Sequence, residues 1–380
     1  MHAPSHSSAT KAQFDLESPP HYNANIQGFQ ATMSPGETQQ FIRVAAFTGS
    51  KDAAPMFRVR QYIPRLLSQG IQITEFLARF GSWPPLNKAI RPLWLAATVA
   101  TRVPAVARSH KYDLTLLQRE MVSTLLTLER FTARPRILDV DDAVWVQRRA
   151  AKNFPLLAKM CDGVVCGNDF LAENVRQWNT NILILPTAVD TDRFIPLESK
   201  ATQNSKRIIG WTGVLSNLPY LYEIEKALDV VLRKYDDVVL RVVSGMRPNF
   251  RLIDNARVEY IPWSIENDAQ TIREMSIGLM PIPDSLWGRG KCSYKMLLYM
   301  SCGLPVVVSP VGMNNEVLAL GKAGFPAQTE SDWVDALSWL LDNPDAAANM
   351  GKDGRRIIEE NYSLSVLSPK LANYLKKFVT

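Results

Sequence analysis

The chain has 380 residues, 46% hydrophobic and 21% charged, with a net charge of +6. That is too long for one ordinary core and normal in balance for a globular protein, so two domains are expected. No apolar run reaches the ~18–20 residues of a membrane span, and no dense Lys/Arg run or recognised motif points to nucleic acid. The basic balance suits an anionic ligand or an anionic membrane surface.

Residues 1–40 are polar, with Pro and Ser, and carry no apolar signal-peptide core. They are expected to form a disordered tail on a cytoplasmic protein. IRVAAFT (42–48) reads as a strand ending in a Gly49-Ser50 turn. FRVRQYIPRLLSQG (57–70) reads as a helix closed by Gly70 and bent at Pro64. IQITEF follows as a second strand. Segment 84–108 mixes Trp94 and aliphatic residues with Lys88, Arg91, Arg102 and Arg108. It reads either as a partly buried helix or as an interfacial helix lying on an anionic membrane. YDLTLLQRE (112–120) reads as a strand running into a helix, and ILDVDDAVW (137–145) as a strand with an acidic end. GVVCGND (163–169) and ILILPTAVD (182–190) complete a first half.

The polar, irregular stretch 191–205 reads as a linker. A second set of strands follows in RIIGW, VVLRVVSG, VEYIPW, IGLMPIP and LPVVVS, with helices expected over 217–234 and 266–275. This alternation argues for parallel sheets with helices on both faces. The fold class is therefore α/β, with two tandem doubly wound Rossmann-like domains over 41–190 and 206–364. Ligands belong beyond the C-terminal ends of the strands, in the cleft between the two. Cys161, Cys166, Cys292 and Cys302 form no CxxC pairs and read as reduced thiols.

Fragments across roughly 41–380, most strongly in the second half, resemble the family-four glycosyltransferases of the GT-B fold. GWTGVLSNLPYL (210–221) resembles that family's first donor-domain strand and glycine loop. YMSCGLPVVVSPVGMNNEV (299–317) resembles its signature near the donor sugar. LPTAVDTDRF resembles its approach to the linker. The resemblance implies a retaining, metal-independent transfer of sugar in polysaccharide or glycoconjugate biosynthesis. It implies a UDP-, GDP- or ADP-linked donor as substrate, no permanently bound cofactor, and a saccharide or lipid-linked acceptor. It makes 41–190 the acceptor-binding domain and 206–364 the donor-binding domain, with a C-terminal helix (365–380) packing back on the first. Peripheral attachment at the inner face of the membrane follows if 84–108 is interfacial.

A diphosphate leaving group needs its growing charge stabilised, and cations and helix N-terminal amides supply that without a metal. The stretch 288–295 offers Arg289, Gly290, Lys291, Ser293 and Lys295; solvated surface cations are the competing reading. It is not a P-loop, because Ser285 and Cys292 stand where glycine and Ser/Thr are required. Gly213, Ser216 and Asn217 form the second phosphate candidate, with helix capping an equal alternative for Ser216. Gly312, Met313 and Asn314 resemble the family's glycine loop. Glu316 is expected at the donor, though a first-turn carboxylate also stabilises its helix in any case. The family's two glutamates align with Gly290 and Leu298 and are absent.

On the acceptor side the resemblance puts Asp141 at about the position of the family's histidine near the reacting centre, where it would orient a hydroxyl or stabilise a cationic sugar. Arg58, Arg119 and Asp142 are the expected acceptor contacts, with Gln118 and Glu120 beside them. Burial against an arginine is the competing reading for Asp139, and a salt bridge is the competing reading for Arg119. The catalytic set is thus Asp141, Lys291 and Lys295. The rival from another class is a binding or scaffold protein that kept the fold and lost the glutamates.

Overall fold

The computed structural model describes residues 41–49, 53–147, 150–197 and 206–379. The expected tail and residues 198–205 of the expected linker lie outside them.

The first sheet comprises β1 (Ile42–Thr48), β2 (Ile71–Leu77), β3 (Leu114–Gln118), β4 (Arg136–Val140), β5 (Gly163–Cys166) and β6 (Ile182–Ile184). Its order is β2-β1-β3-β4-β5-β6, with every pairing parallel. Around it lie α1 (Ala53–Arg58), α2 (Ile63–Leu67), α3 (Arg91–Ser109), α4 (Ala150–Met160) and α5 (Asp169–Val175). LTLLQ, RILDV and GVVC are buried along their whole length. Near-continuous apolar strands are what a parallel sheet covered on both faces requires.

The second sheet comprises β7 (Arg207–Thr212), β8 (Val238–Ser244), β9 (Val258–Pro262), β10 (Ile277–Met280), β11 (Val306–Val308) and β12 (Gly324–Pro326). Its order is β12-β11-β10-β7-β8-β9, again all parallel. Its helices are α6 (Leu218–Glu223), α7 (Glu225–Lys234), α8 (Asp268–Arg273), α9 (Leu286–Arg289), α10 (Tyr294–Ser301), α11 (Met313–Leu318), α12 (Glu330–Asp342) and α13 (Pro344–Asn361). Strand order reverses between β1 and β3 in the first sheet and between β7 and β10 in the second. Loops diverge there and leave a crevice, so these two points position the site.

The chain ends on the first sheet. Val189 N donates to Tyr362 O (2.8 Å) and Leu364 N donates to Val189 O (3.0 Å), so the outgoing and returning strands of chain lie side by side. α14 (Leu364–Lys376) then packs Leu364, Leu367, Leu371 and Leu375 against Val44, Tyr62 and Ile137. Arg355 on α13 fastens the outgoing chain by donating to the carbonyls of Thr191 (3.0 Å) and Phe194 (2.6 Å).

Three local expectations differ from the structure. The stretch 57–70 is not one bent helix: α1 gives way to a 3-10 turn at Arg60–Tyr62, and Pro64 sits in the first turn of α2, where its missing N–H costs nothing. β3 does not run into a helix, because Arg119 turns the chain at φ 61°. The helix expected over 217–234 breaks at Ile224 into α6 and α7. β12 has only three residues and shows no periodicity to read.

Candidate active site

The donor side is framed at the switch point of the second sheet. β7 ends at Thr212, Gly213 follows, and the first turn of α10 stands opposite. Lys295 crosses Gly213 so closely that a Cβ there would meet Lys295 Cε at 2.8 Å. Its ammonium lies 5.4 Å from the centre of the Trp211 ring. Burial, then the neighbouring Lys291 charge, pushes its pKa down to about 7, with Asp142 opposing. An anion beside it would restore the proton.

Lys291 Nζ pairs with Asp142 Oδ1 at 2.9 Å and sits 4.6 Å from the centre of the Trp287 ring. Asp142 follows β4, so this ion pair spans the cleft. Asn168 Nδ2 donates across it to Lys291 O (3.0 Å), and Cys292 Sγ donates to Asp141 O (3.1 Å). The Phe57 and Tyr294 rings meet at 4.5 Å. Gly290 was expected to admit phosphates. Its neighbour is instead Ala143 from the first half, whose N would lie 2.9 Å from a Cβ at that position. Asn168, which caps α5 through Leu171 N, reads in sequence only as a helix cap.

Several of the other expected donor residues pair within the protein or stand at its surface. Arg289 is exposed in a bidentate pair with Asp284 (2.7 and 3.1 Å). Ser293, at φ 49°, does not cap α10; its Oγ donates to Asn314 Oδ1 (2.7 Å). Asn314 Nδ2 in turn donates to Ser309 O (2.9 Å), so this buried pair ties α10 and α11 to the end of β11. Ser216 is exposed and Asn217 half-buried in one 3-10 turn, and neither side chain caps α6. Gly312 opens α11 at φ 52°, a left-handed conformation suited to glycine, with the Arg289 backbone against it. Met313 is buried behind it. Glu316 stands at the solvent edge, and partial burial, then Asp169 and Glu173, pushes its pKa up.

The two missing glutamates leave no polar substitute. Leu298 is buried in the core. Tyr299 is fully buried, and its hydroxyl accepts from Thr212 N at 2.8 Å.

On the first sheet, Arg58 is a structural residue rather than an acceptor contact. It is 3% exposed, with Nη2 on Asp139 Oδ1 (2.5 Å) and Nη1 donating to Leu185 O (2.8 Å). Burial opposes its charge, but Asp139 outweighs that and holds its pKa above the ordinary value. Arg119 Nε donates to Asp141 Oδ1 (2.6 Å) and its Nη2 to Asp142 Oδ2 (2.7 Å). Burial works to raise the pKa of Asp141; Arg119, then Arg58, more than offsets this and keeps it below the usual carboxylate range. Asp141 is therefore an ionised group and a weak proton acceptor. Among the described residues no group of three or more His, Cys, Asp or Glu is arranged to hold a metal ion.

A pocket of about 80 Å³ lies at the first sheet's switch point between Gly49, Trp83, Gln118, Glu120, Thr124 and Gln147. Gln118 Nε2 and Glu120 Oε1 are buried there without a hydrogen-bond partner among the described residues. Burial pushes the pKa of Glu120 up. Trp83, Thr124 and Gln147 were not legible as site residues, since they come from separate loops that share no pattern.

Residues 206–343, which hold Gly213, Lys291 and Lys295, match the profile of the family described as Glycosyl transferases group 1. A D-inositol 3-phosphate glycosyltransferase of Corynebacterium urealyticum is 24% identical over 197 residues. That match covers 45% of this chain and 45% of the relative, so the chain spans less than half the length of that protein. The sucrose-phosphate synthase of Thermosynechococcus elongatus superposes with a TM-score of 0.66 at 14% identity, over 88% of this chain and 98% of that one. Anabaena HepE, solved with UDP and glucose, gives 0.66 at 15% identity, over 89% and 100%. At these identities the likenesses show the fold, the two-sheet α/β arrangement of the GT-B kind.

Proposed function

We propose that the protein is a glycosyltransferase that moves a sugar from a nucleoside-diphosphate donor to a saccharide or lipid-linked acceptor, with retention and without a metal. The observation that carries this is the pair Lys291 and Lys295 at the second switch point, one pairing across the cleft and the other lying over Gly213. A donor diphosphate replaces Asp142 as the partner of Lys291 and recharges Lys295. As the bond from sugar C1 to phosphate oxygen breaks, both lysines meet the growing charge where it appears. The acceptor oxygen bonds to C1 and its proton passes to the departing diphosphate. Asp141, held ionised by Arg119, orients the hydroxyl or stabilises the cationic sugar. Gln118 and Glu120 offer unmatched polar atoms to a hydroxyl-rich acceptor, which suits a saccharide. The relative solved with UDP and glucose favours a UDP-linked donor.

A second reading, a GT-B protein that binds without turnover, is favoured by one observation. Both glutamate positions are closed by protein, Leu298 in the core and Gly290 on Ala143. Thermal shifts with UDP-, GDP- and ADP-glucose, followed by hydrolysis and transfer assays on the best ligand, separate the two. A ligand at 100 times its Kd stabilises by roughly 2.7 kcal/mol. No shift with any of the three, or an undiminished shift in Lys295→Met, sinks the donor assignment. A shift without turnover selects the second reading.

A further inference from the structure

The helix α3 exposes an unusual share of apolar side chains. The face turned to the protein carries Thr98, Arg102 and Ser109 beside Ala105 and Val106, all nearly or fully buried. The face turned outward carries Leu93, Ala96, Ala100, Val103, Pro104 and Ala107, with Thr101 and Arg108 among them. The outer face of a helix on a water-facing surface is mainly polar. The loop before it continues the theme: Leu77, Phe80, Trp83, Leu86 and Ile90 are all exposed, Leu86 to 96% and Leu93 to 75%. Scattered exposed apolar residues need no explanation, but a contiguous set does.

Its charge is one-sided. Residues 76–112 contain no Asp or Glu, and they include Arg79, Lys88, Arg91, Arg108 and Lys111 besides the buried Arg102. The fold holds the loop in place: Arg91 Nε donates to Pro85 O (2.9 Å) and Trp94 Nε1 to Phe80 O (3.0 Å). Arg102 donates to Thr48 O and Phe76 O, both at 2.6 Å, which fixes α3 to the C-terminal ends of β1 and β2. The surface therefore sits beside the pocket lined by Gly49 and Trp83.

We infer that α3 and the loop 77–90 form a docking surface for an anionic lipid bilayer. Exposed apolar side chains on a segment that carries cations and no carboxylate match a lipid surface with negative headgroups. Docking there brings the Trp83 pocket to the bilayer, so the acceptor is lipid-linked. That last step rests on the proposed transfer; the docking itself does not.

The test is co-sedimentation of the full chain with phosphatidylcholine vesicles, with and without phosphatidylglycerol. Binding is expected only with phosphatidylglycerol, and it weakens as salt rises. Leu86→Glu/Leu93→Glu lowers partitioning by roughly tenfold or more, and Arg79→Glu/Lys88→Glu lowers it as well. Both variants keep the wild-type thermal shift with the nucleotide sugar, which separates failed docking from a failed donor site. Absent or headgroup-independent binding overturns the inference, as does binding unchanged in the leucine variant. A wild-type dimer dissolved by Leu86→Glu/Leu93→Glu assigns the surface to a second copy and also overturns it.

Discussion

Lys295 is the residue whose chemistry most depends on its surroundings. Its pKa falls from the ordinary lysine value to about 7 on folding. Between roughly pH 7 and 10.5 the unfolded chain binds more protons there, so stability rises with pH across that window. Below it the full cost of burying the charge is present. Lys295→Met is expected to raise Tm at neutral pH, flatten that slope and lose donor binding. Wild-type donor binding near pH 8 should take up a proton, visible as calorimetric heats that change with buffer ionisation enthalpy. Heats independent of the buffer would remove Lys295 from the diphosphate. Arg58 makes the opposite case: Arg58→Met strands Asp139 in the core and should cost about 3–5 kcal/mol in denaturant unfolding. Its effect belongs in stability, with KM for acceptor unchanged in whatever protein still folds.

The donor loop and α10 behave as one element. Gly290 rests on Ala143, Asn168 holds the carbonyl of Lys291, and Ser293 is locked to Asn314. Gly290→Ala forces these apart, and transfer should fall more than donor affinity, since the donor lysines stay on their own lobe. A loss confined to donor affinity would contradict this account. The same element marks the limit of sequence reading. The strands were legible because parallel, doubly covered strands are apolar throughout, as in LTLLQ and VVLRVVS. The lysines were legible because a cationic, glycine-bearing loop before a helix has a chemical meaning. The partner of each cation was not. Arg58 with Asp139 and Arg119 with Asp141 are pairings between elements far apart in sequence, and either arginine could equally have faced a ligand. Three-residue β12 and the Ser293–Asn314 bond carry no periodic signal at all.

Across the whole molecule, Lys291 and Asp142 are one of the pairs that join the two halves. On the proposed function a donor must compete with Asp142 for that lysine. Asp142→Asn should therefore strengthen nucleotide binding and increase the radius of gyration seen by solution scattering. Lys291→Met should cut kcat by about 10²–10³, the usual effect of losing one group that meets developing charge. An unchanged kcat would remove Lys291 from the leaving-group site.

Among the described residues the chain leaves the first half after Val189 and returns to it before Leu364, and the two passages lie against each other where Val189 bonds to Tyr362 and Leu364. Two adjacent crossings act like the pin of a hinge. On the proposed function, the halves would swing about the line of those joined passages, and the Lys291–Asp142 pair is a contact that must part for them to do so. Donor entry and product escape would then share one movement.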